Sequence, residues 1–260
     1  MFYTDRTRKS MIALLILSIF QIQCFVSKPD TLIIISADSE WVSIKKTLNI
    51  DSKIILHSPY GEYFSYTLKN KSGDDKATLF LQGGWGKIDS AASTQWAITE
   101  FSPTSVINLG TAGGFIGKIK EGEILYVNQT VVYDIMERMG DSEAAIRHYT
   151  TDIKSHEVDL AKLNQITGLK FGTILSADQD IDPNHLKFLM NKYHALAGDW
   201  ESASIARICT KNQVPILILR GITDVVDPNR GSRTYGNLSD FQKQTEMIMA
   251  KELDLLSEFL

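Results

Sequence analysis

Apolar residues along the chain gather in short, β-branched runs separated by polar or glycine-bearing stretches. The run at 31–36 is continuously apolar from Leu32 to Ile35, which predicts a strand buried on both faces of its sheet. Comparable runs predict strands at 53–56, 64–68, 78–81, 105–108, 170–175 and 214–219, with a longer alternating strand at 123–132. The polar segment 70–76, between the runs at 64–68 and 78–81, reads as a hairpin turn. Helical patterns lie between the runs. One opens at Asp38 and carries Val42 and Leu48 among its apolar positions. A second follows the glycine loop 82–87 and runs to about Phe101, where Pro103 breaks it. A third starts at Pro183. A fourth, amphipathic, begins at the carboxylate pair Asp199 and Glu201, and a long closing helix from Ser239 onward carries Phe241, Ile248, Leu255 and Phe259. Strands alternating with helices, each strand ending in a polar or glycine-rich tip, indicate an α/β sandwich.

Composition narrows the class. The chain has 260 residues, 43% of them hydrophobic and 22% charged, as expected of a soluble globular domain with a sizeable core. Twenty-seven basic against 31 acidic side chains leave a net charge of -4, which argues against a nucleic-acid partner. Two cysteines, Cys24 and Cys209, cannot build a disulfide framework or a cysteine zinc site, and the closest histidine pair, His185 and His194, lacks metal-ligand spacing. Neither a metal nor an organic cofactor is expected. Residues 1–28 are of another kind: Arg6, Arg8 and Lys9 precede an apolar run of ten from Met11 to Phe20. That is the form of a signal peptide, lipoprotein leader or membrane anchor, and predicts export or membrane attachment through this segment, the alternative being a cytoplasmic protein. Cys24 stands where a lipidated cysteine would, though Gln21, Ile22 and Gln23 are poor company for one.

Polar groups collect at the predicted strand ends: Glu40, Trp85, Thr111, Asp178 with Asp180, and Asp224, joined by Glu201 at a helix start. Open α/β sheets bind ligands at such ends. Taken singly, these acids are as readily helix caps or solvated loop residues. The loop 82–87 lacks the spacing of a P-loop or dinucleotide fingerprint, and its glycines serve either a tight turn or a close ligand. The second glycine-rich stretch, 109–114, is expected to be another turn after a strand, lying beside the first along one sheet edge.

As a set, these segments resemble the nucleoside phosphorylase and nucleosidase superfamily, in its branch that hydrolyses 5'-methylthioadenosine and S-adenosylhomocysteine. The segment 106–114, Val-Ile-Asn-Leu-Gly-Thr-Ala-Gly-Gly, resembles the family's glycine turn, whose hydroxyl residue contacts the ribose side; that implies binding roles for Thr111, Ala112 and Gly113. Trp200-Glu201-Ser202 falls on a Met-Glu-Ala segment whose glutamate binds the ribose hydroxyls. Arg220-Gly-Ile-Thr223-Asp224 falls on Arg-Ala-Ile-Ser-Asp, whose aspartate is the general acid at the purine. Ser36-Ala-Asp-Ser-Glu40 falls on the loop whose glutamate orients the attacking water. The resemblance covers about 31–227, with weaker similarity through the last helix. It implies a catalytic domain at 31–260, built as a three-layer α/β/α sandwich with a mixed central sheet. It also implies a small-molecule nucleoside substrate, and Tyr133-Asp134, matching the family's loop at a subunit interface, implies a homodimer. One departure stands out. The family's purine-binding segment, Ser-Gly-Asp followed two residues on by a stacking ring, reads Ser176-Ala177-Asp178-Gln179-Asp180 here, with Ile181 next. An acid cannot stack on a base, although it can accept hydrogen bonds from the base's edge.

The chemistry suits these residue types. A purine is a poor leaving group until protonated, and Asp224 can supply that proton. Glu40 would hold a water on the opposite face of the sugar, as the base does in inverting glycoside hydrolysis. Glu201 would fix the ribose hydroxyls and oppose the positive charge developing on the ribosyl group. Arg220 orients neighbouring acids, while Trp85 and Trp200 are either contacts to the base and the 5' substituent or plain core. Hydrolysis is favoured over phosphorolysis, because the position of the family's phosphate-binding arginine is Asn108 and the N-terminal phosphate loop carries Glu40 instead. The alternatives are a phosphorylase, a hydrolase of another N-riboside, and an exported nucleoside-binding protein without catalysis.

Overall fold

The computed structural model describes residues 28–154 and 169–260; the leader with Cys24 lies outside them. Eleven strands form one continuous mixed sheet. In chain order they are β1 Thr31–Ile35, β2 Leu56–His57, β3 Glu62–Lys69, β4 Asp75–Gln82, β5 Ser105–Leu109, β6 Thr111–Phe115, β7 Ile124–Val132, β8 Thr151–Asp152, β9 Leu169–Ser176, β10 Ala197–Asp199 and β11 Ile216–Val226. Their spatial order is β2-β3-β4-β1-β5-β11-β6-β10-β9-β7-β8. The helices are α1 Asp38–Thr47, α2 Gly86–Phe101, α3 Ser142–Tyr149, α4 Leu186–Tyr193, α5 Ser202–Lys211 and α6 Leu238–Leu256.

The strand alternation of β1 divides the core. Leu32 and Ile34 pack with Ile98 and Phe101 of α2 and Ile205 and Cys209 of α5 on one face. Ile33 and Ile35 pack with Trp41 and Ile44 of α1 and Met249 and Leu256 of α6 on the other. Successive strand side chains point to opposite faces, so an unbroken apolar run has to be covered twice, and the result is a three-layer α/β/α sandwich. Within α1 the buried face is Trp41 and Ile44, whereas Val42 faces solvent.

Strand β11 organises the second half of the molecule. It runs beside β5 over Ile216–Ile218, then antiparallel to β7 over Leu219–Gly221, then parallel to β6 over Gly221–Val226. Because β6, β10, β9 and β7 also pair in sequence, these strands close into a ring with β11. The register between β11 and β6 shifts between Ile222 and Asp224, a bulge of the kind that re-aims a side chain.

Several local expectations are corrected. Of residues 53–56 only Leu56 is in a strand, the two-residue β2: the Asp51 side chain accepts the Lys53 N–H at 2.9 Å and closes a 3-10 turn, Ser52–Ile54, which leaves Ile54 and Leu56 exposed at the sheet's margin. The stretch 109–114 is not a turn. Beyond Gly110 it is β6, held extended between β10 and β11. Asp199 ends β10 rather than opening a helix, and Glu201 occupies the cap position of α5. The segment 220–224 lies inside β11 rather than at its tip. Pro183 belongs to a turn, and α4 begins at Leu186.

Candidate active site

A cavity of about 520 Å³ opens where α1, the strand ring and the loop before α6 meet. Glu40, Trp85, Thr111, Ala112, Gly113, Asp180, Ile181, Trp200, Glu201, Thr223 and Asp224 all line it. Arg220 is not among the lining residues; it lies fully buried beneath the floor.

Glu40 sits in the first turn of α1, and its carboxyl turns back towards the helix start. Oε2 accepts the Ala37 N–H at 3.1 Å, while Oε1 accepts both the N–H and the hydroxyl of Thr111, at 2.6 and 2.7 Å. Burial raises its pKa above the ordinary carboxylate value, against the opposing pull of Arg220 and these donors. Gly110 makes room for the arrangement: a Cβ there would lie 3.0 Å from both Glu40 oxygens and 3.1 Å from Arg220 Nη1.

Glu201 accepts the Gly86 N–H at 3.0 Å. Gly86 opens α2 with a φ of 78°, a left-handed conformation that favours glycine, and so the loop 82–87 aims its N–H at a carboxyl. Burial, then the neighbouring Asp199 and Glu40, push the Glu201 pKa up to about 8. In its protonated form this carboxyl can donate one hydrogen bond as well as accept.

Beneath the cavity floor Arg220 reaches three acceptors. Its Nε donates to Asp199 Oδ2 at 2.8 Å, Nη2 to Asn108 Oδ1 at 2.6 Å and Nη1 to the Leu219 carbonyl at 3.1 Å. Asn108 in turn donates to the Ile34 carbonyl at 2.9 Å. Asp199 also accepts the Ser176 hydroxyl on Oδ1 and the Ser202 hydroxyl on Oδ2, so both of its oxygens are engaged inside the protein. Burial works against the charge of Arg220, but Asp199, Glu40 and Glu201 outweigh it and raise its pKa.

Asp224 follows the bulge in β11. Its Oδ1 accepts the Thr223 hydroxyl at 2.9 Å and its Oδ2 the hydroxyl of Ser232. Trp85 and Trp200 stack on each other at the cavity wall, with centroids 5.1 Å apart and planes 26° apart; Trp85 is 68% exposed. Asp180 is exposed. Asp178 does not line the cavity; it accepts the Lys87 N–H at 2.8 Å, while Lys87 Nζ reaches Asp134 at 2.6 Å. Among the described residues no group of three or more His, Cys, Asp or Glu side chains is placed to hold a metal ion.

Three residues at the site escape a reading of the chain alone. Ser232 and Tyr235 come from the polar segment between β11 and α6, which carries no signal beyond that of an ordinary loop. Glu252 is completely buried on α6, where its Oε2 accepts the Gly110 N–H at 3.0 Å and its Oε1 has no hydrogen-bond partner among the described residues. Here a signal existed: Glu252 falls on the buried stripe of Thr245, Ile248, Met249 and Leu256.

Comparison with known proteins gives the family and the fold. A family model described as the phosphorylase superfamily matches residues 31–260. The 5'-methylthioadenosine/S-adenosylhomocysteine nucleosidase of Geobacillus sp. (strain WCH70) is 32% identical over 156 residues, 56% of this chain and 67% of that protein. The crystal structure of the nucleosidase of the same name from Helicobacter pylori, with butyl-thio-DADMe-Immucillin-A, superposes with a TM-score of 0.69 at 22% identity, covering 90% of this chain and all of that one. The futalosine hydrolase of Helicobacter pylori strain 26695 shares the fold to the same degree, with a TM-score of 0.69 at 21% identity over 88% of this chain and 97% of the other.

Proposed function

The chain belongs to the phosphorylase superfamily, and from that premise we propose that it is an N-glycosyl hydrolase acting on 5'-methylthioadenosine or S-adenosylhomocysteine. The observation that carries the reading is the convergence of Glu40, Glu201 and Asp224, from three distant segments, on one cavity. The names of the relatives support the same substrate class.

In the proposed reaction Asp224 gives its proton to the purine as the C1'–N9 bond breaks, the bonding electrons leaving with the base. Thr223 and Ser232 hold the carboxyl from either side. A water on the opposite face of the sugar attacks C1' and passes its proton to Glu40, whose two oxygens are held in place by Thr111 and Ala37. Glu201 takes the ribose hydroxyls, and the positive charge growing on the ribosyl group favours its ionised form. The products are adenine and the thioribose. Two features support water rather than phosphate as the nucleophile. Glu40 sets a carboxylate where an anion would have to bind, and Asn108 is engaged with the Arg220 guanidinium.

The same reading includes a homodimer, supported by Met136 and Met139, 72% and 100% exposed just after Tyr133-Asp134. It also includes export or membrane attachment through residues 1–28, supported by the basic-then-apolar leader. A hydrolase of another N-riboside is the second reading, favoured by one observation: Asp180 lines the cavity where a stacking ring is expected.

The test is to incubate the protein with methylthioadenosine, adenosylhomocysteine and inosine, with and without phosphate, and to follow free base and sugar. Phosphate-independent release of adenine is expected. Turnover that required phosphate and yielded a ribose 1-phosphate would make the protein a phosphorylase, and binding without turnover would make it a carrier.

A further inference from the structure

Four aromatic residues line the cavity: Trp85, Trp200, Tyr235 and Phe241. Two of them belong to the sugar carboxyl. Trp200 precedes Glu201 in the chain, and Trp85 precedes Gly86, whose N–H donates to Glu201; their rings stack on each other. Tyr235 belongs to the opposite end. Its hydroxyl donates to the Ile181 carbonyl at 2.9 Å, next to Asp180. Burial, then the charges of Asp180 and Asp224, raise its pKa.

The segment that carries Tyr235 is built rather than loose. Asp227 and Gly231 exchange main-chain hydrogen bonds at 3.0 and 2.8 Å, and the Asn237 N–H reaches the Thr234 carbonyl at 2.9 Å. Three residues before Tyr235, Ser232 donates to Asp224. One short loop therefore ties down the general acid and pins a phenol ring to the loop that follows β9. The residue keeps 42% of its surface open although its hydroxyl is engaged.

We propose that Tyr235 is the residue that stacks on the nucleobase, so that the ring Asp180 cannot offer comes from the loop before α6. This rests on the nucleosidase reading for the identity of the ligand. The phenol would cover one face of the base while Asp224 addresses its edge, and the hydroxyl bond to Ile181 would hold the ring upright without occupying its face. Such a residue acts mainly on binding. Base–aromatic stacking removed by alanine substitution weakens binding by roughly 5- to 150-fold.

The test uses the full-length protein and its variants Tyr235→Phe, Tyr235→Ala and the double variant Tyr235→Ala/Asp180→Phe. Adenine binding is measured by calorimetry, and KM and kcat with methylthioadenosine, after circular dichroism has established folding. Tyr235→Phe should bind adenine within about three-fold of wild type, because the ring remains. Tyr235→Ala should lose about ten-fold or more in adenine affinity and show most of its loss in KM. The double variant, which returns a ring to the same end of the cavity, should recover at least half of that loss on a logarithmic scale; a purely structural role for Tyr235 would not be rescued in this way. Unchanged affinity in folded Tyr235→Ala, or equal damage from Phe and Ala, would overturn the proposal. A wild type that binds adenine but hydrolyses no purine riboside would overturn the nucleosidase reading instead, with the calorimetric comparison still deciding Tyr235.

Discussion

Glu40 and Thr111 are joined twice through a single oxygen: Oε1 of the glutamate accepts both the main-chain N–H and the hydroxyl of the threonine, at 2.6 and 2.7 Å. The bond ties the first turn of α1 to the first residue of β6 and fixes the carboxyl that faces the cavity. Both donors favour the ionised form, and burial opposes it with the larger effect.

Removing the hydroxyl should therefore be felt in the pH profile. Thr111→Val keeps the N–H and the volume but deletes one donor to the charged form, so the Glu40 carboxyl should be pushed further up. The acid limb of kcat/KM should move to higher pH. A charge-assisted hydrogen bond is worth ~1.5–3 kcal/mol, so kcat at neutral pH should fall about ten-fold or more. Rates of base release measured from pH 5 to 9 check this; an acid limb that stays in place would show that Glu40 does not set it.

Gly110→Ala probes the same site from below. The added methyl would stand 3.0 Å from both Glu40 oxygens and 3.1 Å from Arg220 Nη1, atoms fixed by other bonds. We expect loss of most activity at a modest cost in stability, read by kcat against the urea unfolding midpoint. An active Gly110→Ala enzyme would mean that the Glu40 carboxyl can move without consequence.

What the chain discloses, and what it conceals, divides along physical lines. Leu32 to Ile35 announce a doubly covered strand because β-branched runs have few other uses, and the motifs at Glu40, Glu201 and Asp224 are short segments whose chemistry is local. Residues 109–114 mislead because a glycine-rich sequence serves a turn or a strand flanked closely on both sides, and only the partners β10 and β11 decide. Asp199 reads as one of a carboxylate pair opening a helix, yet it ends β10 and is spent on Arg220, Ser176 and Ser202, a fact of tertiary contact. Tyr235 and Ser232 are invisible for the same reason: their positions follow from where a loop folds back, which no periodicity encodes.

Asp224→Asn should lower kcat by ~10²–10⁴-fold, the range typical of losing a general acid. Ser232→Ala should do less, since the Thr223 hydroxyl still holds the other oxygen at 2.9 Å. Single-turnover rates with methylthioadenosine check both. Near-wild-type turnover in Asp224→Asn would remove that residue from the proton path.

Arg220→Met is expected to destabilise by ~3–5 kcal/mol, because it strands Asp199 in the interior without its cation. Both side chains of that pair are 2% exposed, so solvent cannot compensate. The double variant Arg220→Met/Asp199→Asn should recover part of the loss. Chemical denaturation of the three variants checks the pair, and a double variant no more stable than the single one would mean that Asp199 is not the partner that matters.

Glu252 gives stability a pH dependence with a definite sign. Burial raises its pKa well above the ordinary value, with Arg220 and the Gly110 N–H pulling the other way. The folded protein therefore holds this proton more tightly than the unfolded chain does. Its contribution is fully present below the unfolded pKa, near 4.5, and is lost as pH rises through the folded value. Glu40 and Glu201 are raised as well and act in the same direction. Glu252→Gln keeps a carbonyl to accept the Gly110 N–H but cannot ionise. Its stability relative to wild type should be near zero or slightly negative at pH 5 and should grow steadily more favourable towards pH 8.5, flattening the decline without abolishing it. Glu252→Leu, by contrast, leaves that N–H unpaired and should cost ~1–3 kcal/mol across the whole range. Urea midpoints at four or five pH values distinguish the two substitutions, and parallel curves for wild type and Glu252→Gln would mean that the carboxyl at 252 does not titrate between its folded and unfolded states as its burial demands.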